Sequence, residues 1–320
     1  MKLTIDLVLS PSLANMPSSS ALSKLLAKGQ LTYIDLPLEA YTSSQFGLTA
    51  TPDFSIAAIA AAADGLTVGV EYWLRADPVH LMMQRDSVSL SAPVPLPIST
   101  PQATALLASL NAHFQQDGLN FLMGNSGAWY CRLAHAPQMK TILPSEAIDK
   151  NMFNFLPQGQ DASRWLAIMN EVQMLLFSHP INAEREAQQQ NVVNSVWFSG
   201  GGVLPAGKAV QSGLNLGISL MVGSNPLYQG LAYWTGIPYQ AVVSQLDAIL
   251  QLQENHVWMQ HSALDDAWFD ALILALKAKK IKQLCLNIGY FEKTLALTLQ
   301  PIKLYQFWRK PKAVVEYFND

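Results

Sequence analysis

Four short stretches carry side chains whose types and spacing could do chemistry. In Trp73–His80 (WLRADPVH), Arg75 could grip a carboxylate or phosphate with two parallel donors. Asp77 could bind a metal or orient a base, and His80 could pass a proton near neutral pH. These three are expected in a loop directly after a strand, where open α/β sheets place functional groups. The competing reading is structural, since Asp77-Pro78 also fits a helix N-cap followed by a proline at the first helical position. A second stretch holds Asn170, Glu171 and Gln173. At helical spacing Asn170 and Gln173 share a face, whereas Glu171 points about 100° away, so the three need not act together. The third, Asn182, Glu184, Arg185 and Glu186, reads as a capped, charge-paired helix start on the surface. The fourth is Asn194 to Gly202 (NSVWFSGGG), where Gly200, Gly201 and Gly202 permit backbone conformations that let N–H groups converge on an anion. Taken together, Asp77, His80 and Glu171 are catalytic candidates. Arg75, Asn170, Gln173, Arg185, Asn194 and the three glycines are candidate ligand contacts.

Several familiar chemistries find no support. Lys208 is followed by Ala209 and Pro205 interrupts the spacing, so the glycine run is neither a phosphate-binding P-loop nor a dinucleotide fingerprint. His256 and His261 have Asp265, Asp266 and Asp270 downstream, but the spacing matches no known metal-ligand grouping. Asp265 and Asp266 read as the cap and first-turn acid of a helix. Neither Cys131 nor Cys285 neighbours a histidine, there is no GxSxG, and Ser195 has no evident base. No metal and no cofactor is expected.

These side chains must be positioned by a chain of 320 residues that is 50% hydrophobic and 13% charged, with a net charge of -3. Such a chain has ample material for a core. The small net charge argues against recruitment by nucleic acid or a membrane. Two cysteines and a strand-like N-terminus point to a reducing compartment, the cytoplasm. The patterning predicts strands at 3–9, 66–74, 192–198, 214–222, 281–288 and 294–299, and a hairpin over 119–133 with its turn at 124–127. It predicts helices at 22–29, 55–63, 102–114, from a cap at Asp161 or Ser163 to before Pro180, and at 182–190, 239–253 and 267–278. Alternating helices and strands make this an α/β protein with a mostly parallel sheet flanked by helices. A single domain over 1–320 is expected, with an inserted or lid-like excursion around 86–160 that includes the hairpin.

The series WLRADPVHL (Trp73 to Leu81), LPQG (Leu156 to Gly159), NEVQMLLFSHPIN (Asn170 to Asn182), NSVWFSGGG and FWRKP (Phe307 to Pro311) resembles the RpfE-type family of proteobacterial regulatory proteins in order and spacing. With ALSKLLAKG (Ala21 to Gly29) the resemblance spans most of the chain. Ser199 departs from it, standing where an aromatic is usual. Members of that family are often labelled cofactor-independent phosphoglycerate mutase-like, which implies an alkaline phosphatase-like scaffold. That scaffold would need an aspartate at the end of the first strand and Asp and His ligands near the last strands. Here the first strand ends LVLSPS and the late one LCLNIGYFEK, with Asp6 inside the strand. The resemblance therefore implies a degenerate, non-catalytic regulatory or ligand-binding protein for a small anionic or phosphorylated ligand, with homo-oligomers compatible. The alternatives are an active mutase-like phosphotransferase or phosphohydrolase using Asp77, His80 or Glu171, and an interaction module suggested by eight tryptophans and low charge.

Overall fold

The computed structural model describes residues 1–83, 86–206, 216–241, 245–261 and 265–319. In chain order the strands are β1 (Lys2–Val8), β2 (Gln30–Ile34), β3 (Tyr72–Val79), β4 (Leu81–Met83), β5 (Val88–Leu90), β6 (Leu119–Met123), β7 (Trp129–Leu133), β8 (Met139–Lys140), β9 (Gln158–Gly159), β10 (Ser195–Gly202), β11 (Leu220–Gly223), β12 (Tyr239–Ala241), β13 (His256–Gln260), β14 (Gln283–Tyr290) and β15 (Lys293–Leu299). The chain forms two compact units, Met1–Phe46 with Lys208–Asp320, and Gly47–Gly207. The excursion expected around 86–160 lies wholly inside the second. Among the described residues no helix is long and apolar enough to cross a membrane.

The first unit carries a seven-stranded sheet in the order β12-β11-β13-β1-β14-β15-β2. Its strands run parallel from β12 to β14, and β15 and β2 add antiparallel pairs at one edge. This is the mostly parallel, helix-flanked sheet that the patterning predicts. Strand periodicity sorts β1 into two faces. Leu3, Ile5 and Leu7 pack with Leu22 and Leu25 of the helix Ala21–Lys28 and with Phe269 and Leu272 of the helix Asp266–Lys277. Burying each such side chain contributes about 2 kcal/mol. Thr4 and Asp6 face the other way, toward the helices Leu38–Gln45 and Pro226–Thr235, whose Thr42 and Tyr228 both reach Asp6.

Sequence patterning misplaces several elements of this unit. A helix over 239–253 is expected, yet Tyr239 opens β12 against Met221, and among the described residues of that range only Leu246–Leu250 is helical. Pairing with a sheet edge overrides local propensity here. The strand expected at 214–222 begins at Leu220; positions 214 and 215 lie outside the described residues. The patterning predicts no helix at Pro226–Thr235; its signals are Asn225-Pro226 and Gly236, since Asn225 accepts from Leu227 N at 2.9 Å and Gly236 is left-handed.

The second unit has a four-stranded antiparallel sheet, β10-β3-β7-β6. Phe198 and Phe121 of the sheet pack with Leu106 and Leu110 of the helix Thr100–Phe114 and with Trp165 and Val172 of the helix Ala162–Phe177. The β6–β7 hairpin forms where expected. Asp64 holds its turn, accepting from Ser126 N and Oγ, each at 2.7 Å, and from Tyr130 OH at 3.0 Å. The strand expected at 66–74 is instead Tyr72–Val79, so Arg75, Asp77 and Pro78 are strand residues and Asp77-Pro78 caps no helix. Pro78 is tolerated because β7 pairs only as far as Arg75, and the Pro78 carbonyl accepts from Leu96 N at 2.9 Å instead.

Candidate functional site

The helix Ala162–Phe177 presents Leu166, Met169, Asn170, Gln173 and Phe177 along one face, as helical spacing requires. Opposite it, β4 and the stretch before β10 supply Leu81, Met83 and Asn194. Between them lies a groove of about 730 Å³, within the usual range for small-molecule sites. Its walls are mainly apolar, and Met83 and Phe177 stand more than 80% exposed at its rim. The framework is fixed by amides. Asn194 Oδ1 accepts from Leu81 N at 2.7 Å and its Nδ2 donates to Leu81 O at 2.8 Å, tying β4 to the approach of β10. Asn182 donates to Leu176 O and Val193 O at 2.8 and 2.9 Å and accepts from Val193 N at 2.9 Å.

His179 forms part of the lining and caps the helix Pro180–Ala187, its Nδ1 accepting from Ile181 N at 3.2 Å. Burial pushes its pKa down. With Nδ1 accepting, the proton sits on Nε2, which donates to Ser109 Oγ at 3.0 Å. Asn182, expected as the cap of this helix, therefore lies within it and ties it to Val193.

The groove gathers three of the predicted ligand contacts, Asn170, Gln173 and Asn194, and leaves the others elsewhere. Glu171 points away and meets His113 Nε2 at 3.1 Å. Arg75 and Asp77 form an ion pair at 2.9 Å on β3, the carboxylate buried and the guanidinium mostly covered. His80 Nδ1 is bonded to Val192 O at 2.9 Å. Arg185, expected on a solvated helix face, is buried. It donates to Asn191 O at 2.8 Å, to Gln102 Oε1 at 3.0 Å and to Pro97 O at 3.3 Å. An arginine with one apolar flank can serve as a cross-brace, and the charged neighbours Glu184 and Glu186 hide that in the sequence. Gly200, Gly201 and Gly202 lie in β10, where the register with β3 shifts between Ser199 and Gly202. A Cβ on Gly201 would sit 2.2 Å from Tyr72 OH, one on Gly202 2.3 Å from Ser55 Oγ, and Gly200 has φ +63°. Close packing accounts for the glycines.

A polar cluster that sequence reasoning passed over lies in the first unit. Asp6 is fully buried and accepts from Thr42 Oγ1 and Tyr228 OH, both at 2.6 Å, and from Asn287 Nδ2 at 2.7 Å. Burial pushes its carboxyl pKa up, and these donors pull the other way. The Trp258 indole N–H makes no full hydrogen bond but pulls in the same direction as the donors. Its signal was a lone acid in the apolar run LTIDLVL. On the same face His256 meets Thr4 Oγ1 at 2.9 Å. Among the described residues no three His, Cys, Asp or Glu side chains lie close enough together to hold a metal ion.

No family model matches the chain. It is similar to the 2,3-bisphosphoglycerate-independent phosphoglycerate mutase of Methanosarcina acetivorans, 23% identical over 145 residues, which are 44% of this chain and 36% of that protein. The similarity thus spans about a third of that mutase's length. Among solved structures, the cofactor-independent phosphoglycerate mutase of Thermoplasma acidophilum aligns over 98% of this chain and 94% of its own, at 11% identity and a TM-score of 0.43. The PH0037 protein of Pyrococcus horikoshii aligns over 93% of this chain and 87% of its own, at 12% identity and a TM-score of 0.49.

Proposed function

We propose that this protein binds a small ligand without turning it over, as a regulatory protein of the RpfE type on a phosphoglycerate mutase-like scaffold. The observation that carries the reading is the groove between the helix Ala162–Phe177 and β4. It is preformed, apolar on its walls, and offers the amides of Asn170 and Gln173 for hydrogen bonds. A neutral, largely apolar ligand with one or two polar groups fits it better than the anion that the sequence suggested. Both arginines of the candidate set are committed, Arg75 to Asp77 and Arg185 to three acceptors, and among the described residues no Lys or Arg lines the groove. Asp6 supports the same reading, since its carboxylate is occupied by donors of the fold itself.

A neutral naphthylamine fluorophore tests this directly. Saturable enhancement is expected on the wild type, with at least tenfold weaker binding by Leu166→Arg, which fills the groove and charges it. Equal binding by both proteins would sink the assignment. The similarity to mutases favours one other reading, a phosphotransferase or phosphohydrolase that uses Asp77, His80 or Glu171. Phosphoglycerate turnover by the pure protein with a divalent metal, lost in His80→Ala, would establish it in place of the first.

A further inference from the structure

The FWRKP motif is left unused by the groove, and it belongs to a surface whose charge the net value conceals. Residues 277–312 hold nine of the chain's 20 lysines and arginines and one of its 23 aspartates and glutamates, a local charge of +8 in a chain of net -3. That single acid, Glu292, sits in the β14–β15 turn, at the far end of the hairpin from Lys282 and Lys303. Lys293 follows it there, and three of the other cations, Lys277, Lys279 and Lys282, converge. The helix Asp266–Lys277 ends in exposed lysines, and a groove of about 450 Å³ brings Lys277, Lys279 and Lys282 together with Ile302 and Tyr305. The chain then runs through Phe307 and Trp308 to Arg309 and Lys310. Lys28 fastens it by donating to Arg309 O at 2.6 Å, and Arg309 Nη1 donates to Gly29 O at 2.9 Å.

Ile302, Tyr305, Phe307 and Trp308 are each at least 64% exposed, although a folded chain gains by covering such side chains. We propose that this surface docks on an anionic lipid membrane, inserting Ile302, Phe307 and Trp308 among the headgroups while the surrounding lysines meet lipid phosphates and carboxylates. Charge complementarity selects an anionic partner. The apolar set selects lipid over single-stranded nucleic acid. Ile302 offers no face for a base to stack on, and the Phe307 and Trp308 rings meet edge to face at 83°, so they do not form a stacking platform. The protein lies on the bilayer in this arrangement and does not span it.

Flotation of the full chain with vesicles of phosphatidylcholine alone, or mixed with phosphatidylserine, tests the proposal. Binding only to the mixed vesicles is expected, weakening as salt rises. The double variant Phe307→Ser with Trp308→Ser should partition at least tenfold more weakly, and Lys279→Glu with Lys282→Glu should lose about fivefold or more per lysine. All four positions are exposed, so unchanged melting curves should accompany these losses. Trp308 emission shifting to the blue on mixed vesicles, with the shift absent in Trp308→Phe, gives a readout independent of partitioning. The proposal is overturned if mixed vesicles fail to bind at low salt, if phosphatidylcholine alone binds equally well, or if an oligo-dT strand binds and mixed vesicles do not displace it. The last result would assign the surface to single-stranded nucleic acid.

Discussion

Asp6 shows how a charged side chain can be a structural hub. Thr42, Tyr228 and Asn287 all donate to it inside the fold, so removing the carboxylate strands three donors. Asp6→Ala is expected to cost about 3 kcal/mol, read as a fall in the urea midpoint at unchanged slope. His256 makes the neighbouring position pH-sensitive. Burial, helped by Lys2, pushes its pKa down to about 4, opposed by a hydrogen bond that the ring donates to the Gly217 backbone. Above the ordinary histidine pKa it is neutral in both states. Between there and about pH 4 the unfolded chain takes up a proton that the folded one refuses, so stability falls as pH falls, by on the order of 2 kcal/mol at pH 5. Asp6, with its folded pKa raised, works in the opposite direction over its own range. The diagnostic quantity is therefore the difference between wild type and His256→Gln in urea titrations at pH 7 and pH 5, where the variant should lose this part of the slope.

At the scale of elements, β10 and the helix Pro180–Ala187 carry the constraints. β10 approaches β3 so closely that Tyr72 OH occupies the place of a Gly201 side chain, with Leu74 Cδ2 at 2.8 Å behind it. Gly201→Ala should destabilise by about 2 kcal/mol or more through overpacking, and a calorimetric melt would register it as a drop of several degrees. The helix is braced through Arg185, which reaches Pro97 and Gln102 as well as the loop at Asn191. Arg185→Ala removes these three hydrogen bonds together with the packing of a buried side chain, and a loss of about 2 kcal/mol is expected in chemical denaturation. An invisible brace of this kind explains why the charged helix reads as solvated surface: Glu184 and Glu186 do face water, and only the fold turns Arg185 inward.

For the molecule as a whole, each unit has its own core, one around β1 and β14 and one around β3, β7 and β10. A fragment covering 47–207 is of a size that can bury its own apolar surface and should unfold cooperatively by itself, which a urea transition followed by circular dichroism would reveal. The segregation of charge has its own consequence. Despite a net charge of -3, the protein should be retained on a cation-exchange resin near neutral pH, and Lys279→Glu with Lys282→Glu should elute earlier.

The sequence by itself determined the α/β class, the strands β1, β10, β14 and β15, the hairpin at β6–β7 and the polar face of the helix Ala162–Phe177. All of these rest on periodicity, which local residues encode directly. Only the tertiary structure decided that Asn170, Gln173 and Asn194 share a groove while Arg75, Asp77, His80, Glu171 and Arg185 have partners elsewhere. Apart from the Arg75–Asp77 pair, such groupings depend mainly on contacts between residues far apart in the chain, and spacing is silent about them. The same holds for Asp6, whose partners lie 36, 222 and 281 residues away. It holds for the basic surface too, because net charge sums over the molecule and a partner meets only one face of it.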